Sequence, residues 1–439
     1  MSLLEVTDLR VSFSTPDGTV RAVRGVSFAV DRGRTLGIVG ESGSGKSVST
    51  QTLMGLTPGA DVRGSALFEG RDLLTAGERE MRGIRGAEIA MIFQDPLSSL
   101  HPLYRVGWQI EEMIRAHEPG TGKRRARERA VEMLGLVGIP QPARRADEYP
   151  HQFSGGMRQR AMIAMALALN PKLIIADEPT TALDATVQAQ ILDLMRRLQG
   201  EFGTALIMIT HDLGVIADMA DDVLVMYGGK AAERAGRRPL YHRPHHPYTK
   251  GLLESAPSAA GGRDRLKPIP GQPPSLINVP SGCVFHPRCA YVMDRCVPDD
   301  PPLEPVADDP GHVSACWLPH EALGLGEDAE RLRLRAVEEG RGTLGRRLRA
   351  TAAGDAAEAG DTRAPSGEGE PGTGGVPRHG RAPRTGDPPG AAGGATRSGA
   401  APAADGGPAE DRGLAEDHGL AQDGGLAEGG GTRPDGSGG

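Results

Sequence analysis

Apolar and polar residues alternate along residues 4–13 and again along 22–30, the period-two pattern of strands with one buried face. Pro16-Asp17-Gly18 between them supplies a turn. Residues 35–39 form a short apolar run of the kind a buried strand shows, and it ends in a glycine-rich loop. Beyond that loop, residues 47–56 have helical character. From residue 106 to about 150 the pattern is helical, with apolar positions at helix spacing over 131–137. Two further apolar runs, 173–176 and 205–209, read as buried strands on either side of the amphipathic stretch 187–198. Strands alternating with helices predict an α/β fold around a parallel sheet, broken by a helical insert.

Composition divides the 439 residues unevenly. From Glu321 to Gly439 there is no Phe, Trp, Tyr, Ile, Met or Cys, and Gly, Ala, Pro, Asp, Glu and Arg dominate. Such a stretch cannot bury enough apolar surface to offset its chain entropy, so residues 321–439 are expected to be a disordered, low-complexity tail. Gly413-Leu414-Ala415-Glu416, Gly419-Leu420-Ala421-Gln422 and Gly425-Leu426-Ala427-Glu428 recur near its end. No stretch reaches the roughly 18 apolar residues of a membrane span. The first residues alternate like a strand rather than forming a basic and then apolar leader, so a cytosolic chain is expected. A net charge of −7 gives no general attraction to nucleic acid or anionic lipid. The basic run 123–129, interleaved with Ala and Glu, reads as a solvated helix face. All four cysteines lie between Cys283 and Cys316; cytosolic thiols stay reduced, which turns attention from disulfides to metal.

Gly40-Glu41-Ser42-Gly43-Ser44-Gly45-Lys46-Ser47 fits the phosphate-binding loop pattern, with a strand before it and a helix starting near Val48 after it. Glycines let backbone N–H groups curl around phosphate oxygens, and the helix N-terminus adds partial positive charge. In that pattern Lys46 neutralises the β- and γ-phosphates and Ser47 ligates Mg²⁺. A second element is Leu173-Ile174-Ile175-Ala176-Asp177-Glu178, a buried strand ending in two carboxylates. Asp177 is placed to hold Mg²⁺ through its water shell, and Glu178 to act as base or orienter for the attacking water.

Between these elements, Phe153-Ser154-Gly155-Gly156-Met157-Arg158-Gln159-Arg160 resembles the signature sequence of the ABC ATPases, with Phe where the family usually has Leu. Gln94 in Phe93-Gln94-Asp95-Pro96 resembles the Q-loop, Thr181-Ala182-Leu183-Asp184 the D-loop, and His211 in Thr210-His211-Asp212 the switch histidine. The resemblance implies a P-loop, RecA-like core with a helical subdomain over about 96–160, all within 1–260. It also implies that two nucleotide domains pack head to tail. Ser154, Gly155 and Gly156 would then reach the γ-phosphate of ATP on the partner. His211 would hold that phosphate, Gln94 would link Mg²⁺ to the membrane partner, and Asp184 would bridge the domains. The family stacks adenine on an aromatic near the first strand. Phe13 is the candidate, and it fits an inward strand position equally well.

Phe93-Gln94-Asp95-Pro96-Leu97-Ser98-Ser99-Leu100-His101-Pro102 resembles the oligopeptide, dipeptide and nickel importer ATPases. So do His246-Pro247-Tyr248-Thr249-Lys250-Gly251-Leu252-Leu253 and Ile269-Pro270-Gly271-Gln272-Pro273-Pro274-Ser275-Leu276, the latter in an extension over 261–320. That resemblance implies ATP-driven import of di- or oligopeptides. Its systems use two transmembrane permeases, a second and different ATPase subunit and an extracytoplasmic solute-binding protein, which would put this chain peripherally on the cytoplasmic face. Import of nickel or another small solute is the alternative, because cargo is read by other subunits; a non-transport ABC ATPase is a more distant one. Five residues separate Cys283 from Cys289, six separate Cys289 from Cys296, and Cys316 follows after nineteen more. These intervals are looser than zinc pairs and favour an iron–sulfur site over zinc, with four independent thiols as the plain alternative. The subfamily's similar four-cysteine pattern implies a 4Fe–4S cluster on Cys283, Cys289, Cys296 and Cys316, leaving His286 and His312 unused.

Overall fold

The computed structural model describes residues 2–181, 183–255, 268–306 and 309–319. The expected tail and the boundary near residue 260 lie outside them. Strands β1 (Ser2–Thr15) and β2 (Gly18–Asp31) form the expected hairpin, and β3 (Thr35–Val39) leads into the glycine loop. Two strands that the alternation did not reveal follow: β4 (Ala60–Phe68) and β5 (Arg71–Asp72) complete an antiparallel sheet in the order β2-β1-β4-β5. The second sheet draws on β6 (Ile89–Ile92), β7 (Leu173–Asp177), β8 (Ala205–Thr210), β9 (Asp222–Tyr227), β10 (Lys230–Gly236), β11 (Glu304–Val306) and β12 (Asp309–Ser314). Its order is β11-β12-β10-β9-β3-β8-β7-β6. The block from β9 to β6 is parallel, and β10, β12 and β11 add antiparallel strands at one side.

The parallel block explains why its sequences are apolar throughout. Alternate residues face opposite cores: Ile38, Ile175, Ile207 and Leu224 pack toward the antiparallel sheet, while Val39, Ile174, Leu206 and Val223 pack toward the helices. A strand covered on both faces has no polar side to show. The helical insert sits between β6 and β7 and contains helices Val106–His117 and Lys123–Leu136, joined to the sheet by helix Gly155–Leu167. Buried Ile110, Ile114, Ala126, Ala130 and Met133 mark the inner faces of the first two. Lys123, Arg124 and Arg125 are exposed, as a solvated face requires. No helix among the described residues is long and apolar enough to cross a membrane.

Candidate active site

Strand β3 ends at Val39, and the loop from Gly40 to Gly45 turns directly into helix Lys46–Leu53. Gly45 takes φ 96, and a Cβ there would run into the Ala22 carbonyl; one on Gly40 would meet the Met226 carbonyl. Only glycine permits so close a backbone wrap. Helix formation begins at Lys46, one residue earlier than the pattern suggested, because left-handed Gly45 serves as its N-cap. The Lys46 ammonium is buried, and it donates to the carbonyl oxygens of Gly40 at 2.8 Å and Glu41 at 2.9 Å. Burial lowers its pKa, opposed by the nearby charges of Glu178, Asp177 and Glu41. Ser42 and Gly43 are exposed at the loop tip, while the buried Ser44 hydroxyl has no protein partner.

Ser47 Oγ donates to Asp177 Oδ1 at 2.8 Å, so the two expected magnesium ligands are in contact. Burial raises the Asp177 pKa, and the Ser47 hydrogen bond opposes that rise. Next to it, Glu178 takes φ 47, a left-handed conformation unusual for a glutamate, with its N–H donating to the Ile209 carbonyl at 2.9 Å. This turn aims the carboxylate along the ends of β7 and β8. There Gln94 Nε2 donates to Oε2 at 3.1 Å, Thr181 Oγ1 donates to Oε2 at 2.8 Å, and His211 Nδ1 meets Oε1 at 3.2 Å. Residues 94, 178 and 211 are far apart in the chain, yet they share one carboxylate. Thr181 was recognised as part of a motif but not as a partner of Glu178.

The signature segment stands apart from this ring. Ser154 caps helix Gly155–Leu167 by accepting from the Met157 N–H at 3.3 Å, and Ser154 and Gly155 are exposed. A Cβ on Gly155 would meet nothing within 4 Å, whereas one on Gly156 would press on Val187. Phe153 is buried, so an apolar residue of either size serves there. Asp184 caps helix Ala185–Phe202, its Oδ1 accepting from the N–H groups of Thr186 at 3.1 Å and Val187 at 3.0 Å. Phe13 is half-buried against the inner core, consistent with both of its readings, and Val48 packs there too.

Two residues of the C-terminal part reach this site, and sequence reasoning missed both as contacts. The Glu41 N–H donates to Tyr248 Oη at 2.8 Å, and Arg288 forms a two-pronged pair with the Glu41 carboxylate. The His246 motif is anchored by Glu233: its carboxylate accepts from the N–H groups of His245 and His246 at 2.6 and 3.0 Å. His312 Nε2 also meets Glu233, at 2.6 Å. His246 is enclosed, and burial pulls its pKa down to about 4.

The four cysteines are free thiols. Among the described residues, no three His, Cys, Asp or Glu side chains are grouped as ligands of one metal ion. This corrects the expectation to that extent: the extension does not display a formed single-ion cage. His286 Nδ1 pairs with the Cys283 carbonyl at 2.9 Å. The thiols nevertheless share a neighbourhood. Burial pushes Cys283 up to about 11 and Cys316 up to about 12, and Cys289 well above its ordinary value. Neighbouring thiols add to each rise: Cys316 acts on Cys289, and Cys283 and Cys296 act on Cys316. As a donor set, four soft sulfurs in one buried pocket suit iron–sulfur chemistry.

A glycine loop under a helix N-terminus, a Ser–Asp pair and a carboxylate ringed by Gln, Thr and His define a P-loop nucleotide triphosphatase. The family profile for ABC transporters matches residues 23–181, and that for the oligopeptide/dipeptide transporter C-terminal region matches 232–296. The oligopeptide transport ATP-binding protein OppD of Bacillus subtilis is 53% identical over 322 residues, covering 72% of this chain and 89% of that protein. OppD of Salmonella typhimurium is 52% identical, covering 73% and 95% respectively. The dipeptide transport ATP-binding protein DppD of Escherichia coli is 48% identical over 326 residues, covering 74% and 99%. The chain belongs to the family of ABC transporter ATP-binding proteins that contains these oligopeptide and dipeptide transport subunits.

Proposed function

We propose that this chain is the ATP-hydrolysing subunit of an importer of di- and oligopeptides. The observation that carries the reading is the convergence of Gln94, Thr181 and His211 on Glu178, beside the Ser47–Asp177 contact. In this reading the backbone of residues 40–47 wraps the β- and γ-phosphates, and Lys46 supplies the compensating charge. Ser47 and Asp177 hold Mg²⁺, with Gln94 at its edge. Glu178 orients the attacking water and takes its proton; His211 steadies the γ-phosphate. Bound Mg²⁺ would neutralise charge that develops on the phosphate oxygens. The exposed Ser154 and Gly155, at the start of helix Gly155–Leu167, offer hydroxyl and N–H donors to ATP held by a second ATPase subunit, in a heterodimer.

Chemistry then waits for two domains to close, and closure drives two membrane permeases supplied by an extracytoplasmic binding protein. The chain sits peripherally on the cytoplasmic face. Support for a membrane partner comes from Leu103, 77% exposed, and from Tyr104 stacked on Trp108 at 4.4 Å, all just after Gln94. The four thiols hold a 4Fe–4S cluster that supplies a structural staple for the extension. Iron and sulfide analysis of the anaerobically purified chain should return about four of each; metal-free or zinc-only protein defeats that part.

The importer reading is tested by affinity capture of the tagged Glu178→Gln chain from detergent-solubilised membranes with ATP, identified by mass spectrometry. Two permeases and a second ATPase are the expected companions. Ribosomal or DNA-repair partners recovered from the soluble fraction would overturn it. Screening the companion binding protein separates peptide cargo from nickel.

A further inference from the structure

A loop that must accept a triphosphate is a poor place for a carboxylate, yet Glu41 is its second residue. Its charge is answered from outside the loop. Arg288 Nη1 donates to Glu41 Oε2 at 2.6 Å and Nη2 to Oε1 at 3.0 Å, a fork-on-fork pairing. The Arg288 side chain is 5% exposed. It is itself pinned: Nε donates to the Pro270 carbonyl at 2.8 Å, Nη2 to that of Ile269 at 3.3 Å, and Nη1 to Tyr227 Oη at 3.2 Å. The other end of Glu41 is held as well, through its N–H on Tyr248 Oη. Tyr248 is fully buried, its ring centroid 4.5 Å from Tyr227 and 5.4 Å from Phe285. Arg288 directly precedes Cys289, whose Sγ accepts from the Tyr291 N–H at 3.3 Å.

We propose that Arg288, carried on the four-cysteine module, neutralises Glu41 and draws it away from the phosphate site, so that nucleotide affinity depends on the integrity of that module. Arg288 is a positioning residue that acts through Glu41, and the inference rests on the ATP-binding reading above. Without the guanidinium, the carboxylate would stand free where the ligand carries its greatest negative charge and would compete for Lys46. Linkage makes the dependence mutual: a nucleotide that steadies the loop also steadies the module.

The test uses the full chain and MgADP, titrated by calorimetry so that turnover does not intervene. Arg288→Met should weaken binding about tenfold, Arg288→Lys less, and Glu41→Gln with Arg288→Met should recover to within about threefold of wild type. A residue needed only for packing would not be rescued by neutralising Glu41. A second readout is the rate at which iodoacetamide alkylates the four cysteines. MgADP should slow it about threefold or more in the wild type and leave it unchanged in Arg288→Met. If Arg288→Met fails to fold, Tyr248→Phe replaces it, with binding weakened about threefold expected. Wild-type affinity in the single variants, or no rescue in the double, overturns the inference and leaves the ATPase reading intact. A wild-type chain that binds no MgADP sinks both.

Discussion

Glu178 and Glu233 each gather three hydrogen-bond partners, and the kinds of partner differ. Around Glu178 they are the ends of side chains, those of Gln94, Thr181 and His211, at 2.8–3.2 Å, with Gln94 and His211 exposed. Around Glu233 they are two backbone N–H groups and the His312 ring, at 2.6–3.0 Å, and the carboxylate is 0% exposed. Side-chain donors on loops can swing away when a substrate and metal arrive. Backbone donors in a buried turn cannot. The same functional group thus serves as a working part at one end of the sheet and as a lock at the other, and the donors decide which.

The largest expected effect breaks the working part. Glu178→Gln should keep MgATP binding and slow phosphate release by the assembled transporter about tenfold or more; turnover at the wild-type rate would strip Glu178 of its role. A smaller effect breaks the lock. Glu233→Ala leaves two N–H groups and a histidine buried without a partner, and should cost about 3 kcal/mol in denaturant unfolding. A loss under about 1 kcal/mol would mean that the carboxylate does not hold the extension. The smallest sharpens the contrast with a carboxylate at the rim. Glu88 is held down at about 2, from an ordinary 4.5, chiefly by the Arg71 hydrogen bond, with Lys172 adding to it. Its folded pKa is depressed, so its contribution is present above about pH 4.5 and fades as pH falls toward 2. Glu88→Gln should therefore cost about 1 kcal/mol or less near pH 7 and nothing near pH 2, read from paired unfolding curves.

What the sequence made legible was local. The loop around Lys46, the acidic end of β7 and the signature turn are contiguous strings, and their geometry follows from glycine freedom and strand burial within a few residues. The parallel strands were legible because a run apolar on every position has one reading at that length. The antiparallel strand Ala60–Phe68 was not, because Arg63, Gly64 and Ser65 interrupt its alternation where it bulges against β1. Arg288 on Glu41 was invisible for a different reason. A contact across 247 residues leaves no periodicity, and an arginine beside a cysteine looks like any charged surface residue until its burial is known.

The left-handed backbone at Glu178 carries a cost that the site's chemistry conceals. A glutamate at φ 47 stores about 1 kcal/mol or more of strain that glycine would relieve. Evolution toward heat resistance alone would therefore drift to glycine at this position, producing a sturdier molecule that no longer turns over. Screens for robust variants of this chain will select inactive ones unless activity is scored alongside melting temperature.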